Sequence, residues 1–247
     1  MLKRFLTGPC LPNTLCSELI FTDPQILPMT RTSTQNEPSG KTSRTPQQTR
    51  GRARVEAVLD ACAILLWEEG PGELTMHKLA KRAQTSIGSL YHFFPDKDAV
   101  IDALCQRHLT AMNGITRELD QISSAQWRDM SPQAVIESLA RPYFQYVDTY
   151  PEMLVIISNS LGSKIEGAPD LRLSILANYE KVLELRMPKL DTALLKTISY
   201  VLFNIPVGAL QSLQENNQYR ERVLRMELIH AMVAYLQTIE AQHAGGC

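Results

Sequence analysis

The chain has 247 residues, with 25 Lys and Arg against 26 Asp and Glu for a formal net charge of −1, and it is 44% apolar and 21% charged. That balance excludes a wholly disordered chain, a collagen-like repeat and a disulfide scaffold. It also excludes nucleic-acid binding by bulk charge, so any such binding must come from a local patch.

The length allows one or two domains. Five cysteines, at 10, 16, 62, 105 and 247, are odd in number and contain no C-x-x-C. They read as reduced thiols of a cytosolic protein, so no disulfide or zinc framework is expected. No G-x-S-x-G, H-E-x-x-H, Walker loop or G-x-G-x-x-G is present, and the five histidines (77, 92, 108, 230, 243) lack metal-ligand spacing. These absences predict no catalytic residue, no metal and no cofactor.

Residues 1–49 are rich in Pro, Thr, Ser, Gln and Asn without helical or strand period, and read as a disordered extension. Lys3 and Arg4 resemble the start of an export signal, but Pro9, Pro12, Asn13, Ser17 and Glu18 break up the apolar core such a signal needs. Met29 is an alternative start to Met1. The longest apolar run, Ala61–Trp67, is seven residues, well short of the ~20 of a membrane span. From Arg31 to Arg54 the net charge is +5, whereas residues 55–247 carry −6. A basic arm thus feeds an acidic body, either as a solvated tail or as a contact with polyanions.

Val55, Val58, Leu59, Cys62, Ile64, Leu65 and Leu66 predict an amphipathic helix that ends at Gly70-Pro71-Gly72. Thr75 then caps a short helix whose apolar face holds Met76, Leu79, Ala80 and Ala83. Thr85 and Ser86 supply a second cap, and Ile87, Leu90, Tyr91 and Phe94 give the next short helix its apolar face. Asp96 caps a longer helix through Leu109 and Met112. Two short helices across a tight turn fit a helix-turn-helix. From spacing alone they also fit any compact helical domain. No segment alternates long enough to be a strand, so the chain reads as all-α.

The run from Arg54 to Leu104 resembles the N-terminal domain of the tetracycline-repressor (TetR/AcrR) family of regulators. The resemblance lies in Ala57, Ala61, Gly70, Leu74-Thr75, Leu79-Ala80, Ala83, Ser86, Lys97 and above all Gly88-Ser89-Leu90-Tyr91-His92-Phe93-Phe94. Gln84 departs from the family's usual glycine at the turn and is expected to adopt a left-handed conformation at some cost. The resemblance implies a three-helix DNA-binding domain at 50–97, a connecting helix at 98–119 and a helical effector-binding and dimerisation domain at 120–247. It implies that Ser86, Ile87, Gly88, Ser89 and His92 meet the major groove. Thr75, Tyr91 and Lys97 would meet phosphates, with Arg50, Arg52 and Arg54 reaching backbone or minor groove. Tyr91 could instead be core, His92 a surface histidine and Lys97 a solvated neighbour of the cap.

Downstream, helices are expected at about Val135–Tyr150 with a kink at Pro142, at Met153–Ser160, at Leu171–Met187, and at about Thr192–Gln214 and Tyr219–Ala241. By the resemblance, the last two pair with their counterparts in a symmetric homodimer through Leu194, Ile198, Val201, Leu202, Ile205, Ala209, Leu224, Leu228, Met232 and Leu236. The same stripes could pack within one monomer. The central helices would enclose a fairly hydrophobic small-molecule effector. Candidate lining residues are Tyr143, Phe144, Tyr146, Val147, Met153, Ile156, Ile157, Tyr179 and Phe203, with Asn159, Asn178 and Asn204 as polar contacts. Each of these also fits an ordinary core position. The function so implied is a cytoplasmic dimeric repressor, without membrane association, released from a palindromic double-stranded operator by its effector. The alternatives are an activator, or a thiol sensor acting through Cys62 or Cys105 without a small ligand.

Overall fold

The computed structural model of the chain describes residues 45–213 and 217–244, and among these every regular element is helical. Most of the extension therefore lies outside the described residues, as do Cys10, Cys16 and Cys247. The boundary at 49 moves, because helix α1 (Thr45–Glu69) begins at Thr45. Val58, Cys62 and Leu66 recur every four residues on its buried face. At Gly70, φ of +81° turns the chain into a short 3-10 turn, Pro71–Glu73.

Helix α2 (Met76–Arg82) starts where the Thr75 hydroxyl accepts the Lys78 N–H at 3.2 Å. Helix α3 (Ile87–Phe93) starts where the Ser86 hydroxyl accepts the Ser89 N–H at 3.1 Å. Helix α4 (Lys97–Leu119) starts where the Asp96 carboxylate accepts the Ala99 N–H at 2.8 Å. Each cap satisfies one orphan donor of a first turn. Between α2 and α3, Gln84 has φ +52°. Its N–H reaches the Lys81 carbonyl and the Thr85 N–H reaches the Ala80 carbonyl, the two bonds of a Schellman turn. The geometry expected of Gln84 is thus present, at the ~1–2 kcal/mol a non-glycine residue incurs there.

Helix α5 (Ser124–Asp129) was absent from the sequence-based expectation. Its signal is the S-x-x-Q capping box of Ser123 and Gln126, which starts a single turn that buries Trp127. Helix α6 (Pro132–Thr149) runs uninterrupted through Pro142. Helices α7 (Glu152–Ser158), α8 (Ala168–Arg186) and α9 (Thr192–Leu213) follow. The last helical stretch is not uniform: α10 (Arg220–Arg222) passes through a π-helical segment, Val223–Glu227, into α11 (Leu228–Ala244).

In the packing, α1 lies on α2, α4 and α7, α8 on α4, α5 and α9, and α11 on α6 and α9. This arrangement corrects six of the residues assigned to a dimer surface. Ile198, Leu202, Leu224, Leu228, Met232 and Leu236 are buried within the chain's own core. An apolar stripe only says that a face is dehydrated, not whether it meets its own subunit or a second copy.

Helix α9 also corrects the expectation that no segment suits a membrane. By length and composition alone it is long and apolar enough to cross one, with mean hydropathy 1.5, although a third of that window is buried in the helical body.

Candidate nucleic-acid interface

Helix α3 is anchored from one side. Leu90 is 0% exposed and Phe94 is buried with it, while Ile87 and Phe93 are half-buried against the same core. Ser86, Gly88, Tyr91 and His92 face outward, and Ser89 is half-buried. Tyr91 is 52% exposed, which corrects its place on the apolar face: one residue beyond Leu90 lies about 100° around a helix, away from the core. A side chain added at Gly88 would find no atom within 4 Å. Nothing inside the chain therefore requires a glycine there.

The cations divide into two groups. Lys78 is held by Glu69 at 2.7 Å and Glu73 at 3.1 Å, and Arg82 by Glu68 at 3.3 Å. The acidic end of α1 thus neutralises the two basic side chains nearest to it. Among the described residues no carboxylate pairs with Arg50, Arg52, Arg54, Lys81 or Lys97. The three arginines, Lys81 and Thr75 are exposed, and Lys97 is half-buried in the first turn of α4. Sequence reasoning did not single out Lys81. Its signal was a lysine in the last turn of α2, beside the turn into α3.

Behind this surface, Arg107 of α4 grips α1, reaching Glu56 at 3.2 Å and Asp60 at 2.7 Å. Arg220 spans the Asp148 carboxylate at 3.1 Å and lies over the Trp67 ring, 5.6 Å from its centre. The middle and the C-terminal end of α1 are therefore tied to helices of the larger helical body.

Of the expected effector residues, Tyr143, Phe144, Val147, Ile157, Tyr179 and Phe203 line one cavity of about 170 Å³ between α4, α6, α8 and α9. Met153 and Ile156, again with Ile157, line a second of about 280 Å³ against α4 and the 160–167 turn. Tyr146 lines neither, and its hydroxyl pairs with His108 Nδ1 at 2.8 Å. Burial, then Tyr150, pushes the Tyr146 hydroxyl up to about 12.

None of the three asparagines reaches these cavities. Asn159 is exposed and donates to the Val155 carbonyl, Asn204 donates to the Tyr200 carbonyl, and Asn178 lies in an open groove with Thr116 and Asp120. His108 and Met112 were missed. The signal for His108 was a polar residue in the mostly apolar stripe of α4, which holds Thr116 as well.

Burial pushes the Cys62 thiol up to about 12, with Cys105 as the next cause, and the Cys105 thiol up to about 11. Both are buried and unpaired, an environment in which thiols are inert. The thiol-sensor alternative has no reactive group among the described residues.

Residues 58–104 match the family profile described as "Bacterial regulatory proteins, tetR family". The chain is 27% identical over 116 residues to an uncharacterized HTH-type transcriptional regulator, YvdT, of Bacillus subtilis (strain 168). That alignment covers 47% of this chain and 56% of the relative, so it spans little more than half of the relative's length. Among solved structures, the fatty acid degradation regulator FadR from Bacillus halodurans superposes with a TM-score of 0.50 at 17% identity, over 74% of this chain and 93% of that one. A TetR-like transcriptional regulator from Rhodococcus sp. RHA1 gives 0.53 at 14% identity, over 83% and 100%. At these identities the likeness is one of fold.

Proposed function

We propose that this chain, whose residues 58–104 match the tetR family of bacterial regulatory proteins, is a regulator of that family that acts in the cytoplasm as a dimeric repressor and leaves a palindromic operator when a small, fairly hydrophobic molecule binds. The observation that carries the DNA-reading part is the one-sided anchoring of α3. Leu90 and Phe94 hold the helix down, and Ser86, Gly88 and His92 stand clear of the protein. A short helix so mounted can enter a major groove about 12 Å wide. Gly88 lets its backbone come close to base edges. Thr75, Tyr91, Lys81 and Lys97 are placed as phosphate contacts, Lys97 with the help of the α4 dipole, and Arg50, Arg52 and Arg54 as an arm along the backbone.

One such unit makes few contacts, and a two-fold pair reads two half-sites. The surface proposed for pairing is the outer face of α9. Leu194 is 38% exposed there, Val201, Ile205 and Ala209 are half-buried, and Tyr200 is exposed beside them. An effector bound between α4, α6, α7, α8 and α9 would favour a different spacing of the two α3 helices, because Arg107 makes α1 move with α4.

The test is selection of bound fragments from random DNA with purified protein. A palindrome with half-site centres one or more helical turns apart is expected. A non-palindromic consensus sinks the dimer, and no enrichment at low salt sinks DNA reading altogether.

A further inference from the structure

We propose that the two apolar cavities form one site for an uncharged, chain-like molecule whose single hydrogen-bond acceptor is taken by His108 Nε2. This rests on the effector-controlled reading above and adds the chemical class of the effector.

The cavities of about 280 Å³ and about 170 Å³ share Met112 and Ile157 as a common wall. Each alone is smaller than the ~300–1,000 Å³ usual for ligand pockets, and together they fall within that range. Met112 is the adjustable part of the partition, since an unbranched thioether repacks easily. A change of its rotamer joins the cavities end to end, which suits an extended molecule better than a compact one. At the outer end the 160–167 turn lies flat on α4, because a side chain at Gly162 would come within 2.7 Å of Cys105 Cβ.

The walls also carry the hydroxyls of Ser160, Ser163, Tyr143 and Tyr179, but the buried polar atom left without a hydrogen-bond partner belongs to His108. His108 is 2% exposed and lines the larger cavity. Its Nδ1 is engaged by the Tyr146 hydroxyl at 2.8 Å, and its Nε2 has no aligned hydrogen-bond partner. Glu152 Oε1 lies 3.3 Å from Nε2 and is itself buried, close enough for attraction but not oriented for a hydrogen bond. In the tautomer whose Nδ1 accepts from the Tyr146 hydroxyl, Nε2 carries the hydrogen and is a donor, and a carboxylate 3.3 Å away favours that tautomer even without alignment. A buried donor without an acceptor is the feature a ligand carbonyl or hydroxyl would complete.

The charge of the head group follows from what surrounds it. No Lys, Arg, Asp or Glu lines either cavity. A carboxylate head would bring a second carboxylate to the imidazole that already has Glu152 beside it, and no Lys or Arg lines the cavities to offset it. A cationic head would meet the N–H of His108 and no carboxylate on the cavity walls, since Glu152 lines neither cavity. Burying either charge unpaired is unfavourable.

The probes are methyl decanoate, 1-decanol and sodium decanoate, added separately at neutral pH to the full chain. Binding is read by thermal melting and calorimetry, and DNA release by displacement from the selected operator. The ester and the alcohol are expected to raise the melting temperature by several degrees, with the carboxylate binding at least tenfold more weakly. H108L should weaken ester binding at least tenfold, and H108Q, which keeps a donor, should restore much of it. I157W, which fills the shared wall, should abolish binding of the ester and decides the matter if H108L does not fold. Decanoate binding as tightly as the ester, no binding by any probe, or ester binding unchanged in H108L or I157W would overturn the proposal. Ester binding that leaves the operator complex intact preserves the site and removes the release mechanism. DNA release by decanoate alone preserves the mechanism and removes the proposed class.

Discussion

Gly88 and Gly162 show how differently the two parts of this molecule are organised. At Gly88 an added side chain would meet nothing within 4 Å, whereas at Gly162, with φ +71°, it would run into Cys105 at 2.7 Å. The first glycine lies on an open surface, where nothing within the chain requires it. The second serves the packing of the chain upon itself. The same contrast runs through the neighbouring residues. Around α3 the candidate functional groups are those that the core leaves out, and between α4 and α9 they are those that the core encloses.

The comparison can be broken in several places. Leu90→Ala removes the anchor of α3 and should cost about 2–5 kcal/mol, as buried Leu-to-Ala changes do, with DNA binding lost as the helix loosens. Denaturant melts of the full chain measure it, and a cost below about 1 kcal/mol would mean that α3 is held by something else. Gly88→Leu should leave the melting temperature unchanged or slightly raised, because a better helix former replaces glycine. Operator affinity should nonetheless fall at least ~100-fold, about 2.7 kcal/mol. Retained affinity in a gel-shift titration would place that face away from DNA.

Gly162→Ala should do the opposite, costing about 1–3 kcal/mol of stability through overpacking and the left-handed backbone, with operator contacts themselves untouched. Tyr91→Ala and Lys97→Ala should each weaken DNA binding similarly on all sequences, and Lys97→Ala should also reduce the salt slope by ~0.9, whereas loss of the uncharged Tyr91 should leave the slope unchanged. An unchanged slope in Lys97→Ala would return Lys97 to a plain surface role, and unchanged affinity in Tyr91→Ala would do the same for Tyr91. The smallest effect is expected for Gln84→Gly. Relief of the φ +52° backbone, less the entropy glycine adds to the unfolded chain, should stabilise by about 0.5–1 kcal/mol. A thermal melt that moved downward would show that the Gln84 side chain contributes in a way its exposed position does not suggest.

Much of the first region was legible in the sequence. Thr75, Ser86 and Asp96 are capping residues at the heads of short apolar periods, and each cap is formed as its chemistry requires. Even the strain at Gln84 followed from its position in a turn that favours glycine. Tyr91 was misplaced because an aromatic residue beside Leu90 reads as apolar whichever way it points. The body was less legible. Ser123 and Gln126 carried a readable capping signal for α5, but the stripes of α9 and α11 did not reveal what they face. Leu202 and Met232 are buried by the chain's own helices, while Leu194 on the same α9 stripe is 38% exposed. The asparagines chosen as polar contacts lie outside the cavities, and the buried polar atom left without a partner inside them is on His108.

The sequence by itself determined most of the helices and their caps, because these depend on hydrogen bonds and apolar periods spanning a few neighbouring residues. Tertiary structure alone decided which apolar faces are consumed within the chain, where the cavities lie, and that His108, Tyr146 and Glu152 meet, since those contacts join residues tens of positions apart. Helical periodicity records that a face avoids water, and only packing specifies what replaces the water.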